Sequence, residues 1–159
     1  MMKDLQTNEA RNSLIVKNAI HDLEKNHHTC IIIPVQTHRH MDLLKKLFAK
    51  KLGSGAIAIL TGKVDKQKVL KTVEKDHIKI LLAIPRMIQR GVDMQRPTCV
   101  HLVYPLSDGN VFYQLAKRPC TPLLGKRQPV VRIYLDEMGA SRGCFTSLLF
   151  QEIHPHLPG

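Results

Sequence analysis

Several residue patterns in this chain have side chains capable of chemistry. Lysine beside glycine, in Gly62-Lys63 and Gly125-Lys126, is the centre of a loop that wraps a nucleotide phosphate. Such a loop also needs a glycine five residues upstream and a Ser or Thr after the lysine, so that backbone N–H groups reach the phosphate and a hydroxyl reaches magnesium. Val64 follows the first pair and Arg127 the second, and neither has the upstream glycine. The acidic pair Asp136-Glu137 closes the apolar run Val130 to Leu135 and has the charge to hold a cation at a strand tip. Without a phosphate loop, the pair reads instead as a favourable charge at the start of a helix. Histidines cluster at His27-His28 and His38-Arg39-His40, with no cysteine or carboxylate at ligand spacing, so solvent-facing or capping roles fit them. Cys120 and Arg127 only faintly imitate a cysteine phosphatase loop, which Pro122 interrupts. Self-sufficient nucleotide hydrolysis by an α/β domain is excluded.

Charge narrows the choice of partner. Lysine and arginine total 24 against 13 aspartate and glutamate, a net +11 that favours a polyanion such as nucleic acid or nucleotide phosphates. Residues 1–80 hold 13 lysines and 2 arginines, whereas 81–159 hold 2 lysines and 7 arginines. The early lysines fall on helical patterns and read as a solvated face. The later arginines lie near strand ends and loops, where a planar guanidinium suits phosphate. With 43% hydrophobic residues the chain has enough apolar surface for a core, so disorder is excluded. No apolar run is long enough to span a membrane, and MMKDLQTNEARN lacks the apolar centre of a signal peptide. Four scattered cysteines without a CxxC pair fit free buried thiols and an intracellular setting, cytoplasmic or nuclear.

Periodicity supplies the elements that must position any site. Apolar spacing predicts helices over 9–25, 38–52, 65–75 and 140–153. Short, continuous apolar runs at 30–33, 56–60, 78–84, 99–104 and 130–135 predict strands buried on both faces. The alternation implies a three-layer α/β domain, its mostly parallel central sheet covered by helices on both faces. Ligands of such sheets sit beyond the carboxyl ends of the strands. Function is therefore expected at 36–40, 61–63, 85–93 and 113–118. The domain is expected over 12–150, between an N-terminal extension, 1–11, and a loose end, 151–159.

Three successive segments carry a resemblance. Ile80-Leu81-Leu82-Ala83-Ile84, Arg90-Gly91-Val92-Asp93 and Val100-His101-Leu102-Val103-Tyr104-Pro105 resemble motif V of superfamily 2 helicases and the strand after it. Ile31-Ile32-Ile33 with His40, Leu43 and Leu44 resembles motif IV. Leu60-Thr61-Gly62-Lys63 resembles the strand and turn before motif V, and Tyr113-Gln114-Leu115-Ala116-Lys117-Arg118 resembles motif VI. The resemblance covers about residues 12–150, the second RecA-like lobe, and leans towards the DNA helicases of phages and large cytoplasmic DNA viruses. Three positions depart from the pattern: Ile84 replaces a threonine, Lys117 a glycine, and Thr121 a second arginine.

The resemblance implies half of an ATP-dependent DNA helicase or translocase. ATP and Mg2+ would be held by a first RecA-like lobe of the same full-length chain, and this fragment alone would bind neither and be inactive. Arg118 would face the γ-phosphate as an arginine finger, with Gln114, Asp93 and Gly91 completing the catalytic set. Gln36, Thr37, Thr61, Gly62, Lys63 and Arg86 would grip the backbone of DNA, as a single strand or at a duplex junction. The alternative is a non-catalytic nucleic-acid-binding module that keeps the fold, favoured by Lys117 and Thr121. A protein-interaction domain with a basic surface is a third reading.

Overall fold

The computed structural model describes residues 8–88, 94, 96–103, 130–136 and 148–153, with 135–136 and 148–153 by their backbone. Helix α1, Glu9–Glu24, leads into strand β1, Ile31–Pro34, and helix α2, His38–Leu52. A 3-10 turn precedes β2, Ile57–Leu60, which is followed by helix α3, Lys66–Val73. Then come β3, Ile80–Ala83, a second 3-10 turn at Pro85–Met87, β4, Cys99–Leu102, β5, Val130–Asp136, and β6, Leu148–Ile153.

The strands form one sheet in the order β2-β3-β1-β4-β5-β6. The first five are parallel, with Ile31 level with Ile80 on one side and Cys99 on the other, and Cys99 level with Val130. Two-residue alternation sorts each continuous apolar run onto two faces. Ile31, Ile33, Ile80, Leu82 and Cys99 join Ile15, Ala19, Leu44 and Phe48 of α1 and α2 in one core. Ile32, Leu81, Ala83 and Val100 pack on the other side with Leu70 and Val73 of α3, and with Ile88 and Met94. Burial on both faces is why these strands lack the polar alternation of a half-exposed sheet. No described helix is long and apolar enough to cross a membrane.

Local signals end the helices where the sequence places them. Asn8 caps α1 by accepting the Arg11 N–H at 2.9 Å, Thr37 caps α2 through His40 N–H at 3.2 Å, and Asp65 caps α3. Helix α2 stops at Gly53, whose φ of 87° is open to glycine and strained for other residues.

The helix expected over 140–153 is corrected by the sheet. Residues 148–153 form β6, antiparallel to β5, with Asp136 level with Leu148 and Val131 with Ile153. Edge pairing decides this: β5 would otherwise present a row of unpaired backbone groups, and a short apolar segment satisfies them as a strand. The sheet thereby takes up 151–153, the start of the segment expected to be loose.

Candidate nucleic-acid interface

Parallel strands point all their carboxyl ends to one edge, and three of them bring the expected basic residues together. β2 ends in Thr61-Gly62-Lys63. Thr61 is buried, and its Oγ1 accepts the Lys63 N–H at 3.2 Å, folding the loop back on itself so that the lysine side chain stays in solvent. Its neighbour β3 ends at the turn carrying Arg86, whose Nη2 lies 3.4 Å from where a Cβ on Gly62 would stand. The guanidinium thus rests against the bare glycine backbone, and Arg86 and Lys63 are both exposed. On the other side of β3, β1 ends at exposed Gln36 and half-buried Thr37. Adjacent strands are about 5 Å apart, so these three tips span about 10 Å. Helix α2 starts there, adding the positive end of its dipole.

Six of the ten expected site residues thus share one edge: Gln36, Thr37, Thr61, Gly62, Lys63 and Arg86. Their roles differ. Thr37 and Thr61 spend their hydroxyls on the backbone, so only Gln36, Lys63 and Arg86 extend side chains outward. Gly91, Asp93, Gln114 and Arg118 lie outside the described residues, as does Glu137.

Two arginines of the second half serve structure. Arg132 on β5 is buried and bidentate to Asp22 of α1, with Nε to Oδ2 and Nη2 to Oδ1 both at 2.6 Å. Asp22 also accepts from His101 Nε2 at 2.7 Å and from Asn26 at 2.7 Å. His101 Nδ1 in turn meets the Tyr134 hydroxyl at 2.8 Å. Burial by itself raises the Asp22 pKa. Hydrogen bonds from His101 and Arg132 outweigh it and hold the carboxyl well below the usual carboxylate range. Burial also lowers the His101 pKa and raises that of Tyr134, so a neutral imidazole donates to Asp22 and accepts from the phenol. The second, Arg96, donates to the carbonyls of Val73 (2.7 Å), Lys75 and Asp76 (3.2 Å), sealing the end of α3.

Asp22, Cys99 and His101 also offer three potential metal-ligand atoms within 4.8 Å of one another. Arg132 already sets a cation against both carboxylate oxygens, so the cluster is used as an ion pair. The histidines expected to face solvent or to cap helices divide. His27 and His38 are exposed, whereas His28 is buried against Thr98 Oγ1 at 2.8 Å. Buried His40 bonds Asn12 Oδ1 through Nε2 at 2.9 Å. Burial and then the nearby Arg11 charge lower its pKa to about 4. Buried Arg11 itself donates to the Val103 carbonyl just beyond β4. The sequence did carry a signal for these residues. Arg11, Asn12 and Asp22 interrupt the apolar stripe of α1, and His101 and Arg132 interrupt apolar strands, which happens only where a partner waits. Cys30 and Cys99 are buried free thiols, and burial pushes the Cys30 pKa up to about 12, leaving it inert.

Solved structures share this architecture. T4 UvsW aligns over 70% of this chain and 22% of its own, at 19% identity and a TM-score of 0.57. The C-terminal part of the Fun30 ATPase domain aligns over 75% of this chain and 38% of its own, at 15% identity and a TM-score of 0.61. The likeness is one of fold, a RecA-like α/β domain. The chain therefore spans well under half the length of either structure it matches. No family profile and no curated protein matches the sequence.

Proposed function

We propose that this RecA-like domain works as the C-terminal half of an ATP-dependent superfamily 2 DNA helicase or translocase, gripping one strand's phosphates at the carboxyl edge. The observation that carries the reading is the side-by-side placement of Lys63 and Arg86, solvent-facing, beside Gln36 and the start of α2. Cations over an open backbone turn bind phosphate without reading bases, as a motor moving along any sequence requires. The described residues include no aromatic at this edge on which a base would stack, so the grip is electrostatic.

ATP with Mg2+ would be held by a first lobe, since this chain has no phosphate loop. Hydrolysis of that ATP supplies the work of translocation. Arg118 would stabilise the charge developing on the γ-phosphate as the lobes close, with Gln114, Asp93 and Gly91 beside it, by their match to motifs V and VI. Lobe closure would then couple nucleotide state to the Lys63–Arg86 grip. Replacement of two motif VI positions by Lys117 and Thr121 favours, as the second reading, a binding module that keeps the grip without hydrolysis.

The test is DNA-stimulated ATP hydrolysis by the chain joined to its upstream lobe. Arg118→Ala is expected to reduce turnover by about 100-fold or more, with DNA binding retained. Unchanged turnover would move the finger elsewhere, to Arg127 first. No turnover by the unsubstituted protein, together with salt-sensitive DNA binding, would establish the binding module.

A further inference from the structure

Helices α1 and α2 lie side by side on one face of the sheet, and an open trough runs between them. Two hollows, of about 430 and 510 Å³, share Ser13, Leu47 and Lys50 and so form one continuous depression. The helices run parallel, both starting at the carboxyl edge, so Glu9 and Arg39 stand at one end of the trough and Ile20 and Lys51 at the other. That length, twelve residues of α1, is about 18 Å, or three helical turns.

The floor is apolar: Val16 and Ile20 on α1, Leu43 and Leu47 on α2, each pair one turn apart. The walls are cationic, with Lys17, Lys46, Lys50, Lys51 and Arg39 all exposed, against Glu9 as the single acid among the described lining residues. An apolar floor offers nothing to a phosphate backbone, and no aromatic among the described residues lines the trough to stack on a base. A strip of aliphatic anchors flanked by carboxylates satisfies both floor and walls. We infer that the α1–α2 trough is a docking surface for an acidic amphipathic helix of a partner protein.

The occupant spans about three turns, its aliphatic stripe at i, i+4 and i+7 against Ile20, Leu43 and Leu47 and its glutamates or aspartates against the lysine walls. None of Gln36, Lys63 and Arg86 lines the trough, so the surface stands whether or not the carboxyl edge grips DNA.

Fluorescence anisotropy on the whole chain tests this. The probe is a fluorescein-labelled peptide of about 14 residues with leucines at i, i+4 and i+7 and glutamates on both flanks. Saturable binding is expected. Lys46→Glu/Lys50→Glu and, separately, Leu47→Ala should each weaken it by about tenfold or more, while Lys71→Glu on α3, across the sheet, changes it by less than about twofold. The exposed-lysine variant leaves the core untouched, so it guards against a Leu47→Ala chain that folds poorly. No saturation up to about 1 mM overturns the proposal. So does competition by oligo-dT together with a silent Leu47→Ala, which would make the trough a nucleic-acid surface. Self-association lost in the lysine variant would assign the trough to a second copy and overturn it equally.

Discussion

The same kinds of side chain serve opposite purposes in two regions of this sheet. On the face of β4 and β5 that α1 covers, Arg132, Asp22, His101 and Tyr134 are buried and hydrogen-bonded to one another. At the carboxyl ends of β2 and β3, Arg86 and Lys63 stand in water with their charges turned outward. A buried guanidinium must be neutralised and hydrogen-bonded before the fold tolerates it, which makes it unavailable to a ligand. An exposed one costs the fold nothing and keeps its donors for phosphate. Arginine content alone thus says little about nucleic-acid binding; whether the fold buries or exposes the side chain decides.

Breaking the buried cluster should have the largest effect. Asp22→Ala leaves Arg132 charged and uncompensated, and is expected to cost about 3–5 kcal/mol in urea unfolding. Asp22→Leu with Arg132→Met should recover most of that loss, since the stranded charge is what destabilises. A full loss in the double variant would mean that shape, and not charge, governs the site.

Acid should act first through the buried histidines. His40 and His101 have folded pKa values lowered by burial, His40 to about 4. Between about 4 and the ordinary 6.5 the unfolded chain therefore binds protons that the folded chain refuses. Stability is complete above 6.5 and declines as pH falls through that window. Asp22, also depressed, adds a second loss as pH drops below the ordinary carboxylate value near 3.8. Thermal melts at pH 7.5 and 5 should show a lower midpoint in acid, and His40→Asn should shrink the difference. An unchanged difference would assign the acid sensitivity elsewhere.

At the exposed end the readout is binding. Lys63→Ala/Arg86→Ala should leave the melting midpoint within a degree or two and weaken single-stranded DNA binding by about tenfold at low salt. The slope of log affinity against log salt should shrink by about 1.4, two phosphate contacts at 0.7 each. A slope that stays constant removes both residues from the interface.

The smallest effect belongs to the helix cap at the carboxyl edge. Thr37→Ala removes the α2 cap and should cost about 1 kcal/mol, whereas Thr37→Ser restores it. If DNA affinity follows stability across both variants, Thr37 acts through the helix it caps.

Local chemistry made much of this readable in advance. Thr37 and Gly53 bracket α2 at the expected 38–52, because caps are encoded within a few residues of the helix they end. The centres of β1 to β5 follow from apolar runs too short for helices. β6 was not legible: Leu148 to Ile153 fits either period, and the open edge of β5 made the choice. The candidate edge was legible as a set of strand ends. That Lys63 and Arg86 are neighbours depends on the strand order β2-β3-β1, which no residue near either one encodes.

What the sequence determined by itself, then, is what short-range physics controls: helix ends, the buried strands, the excess positive charge and the missing phosphate loop. The tertiary structure decided which charges are paired and which are offered. Arg132 and Asp22 are 110 residues apart in the chain and 2.6 Å apart in the fold. The apolar neighbours of Arg132 signal that it has a partner, but not which residue that is. Only the packing of α1 over β4 and β5 removes it from water, and removal from water is what turns a potential ligand into a structural ion pair.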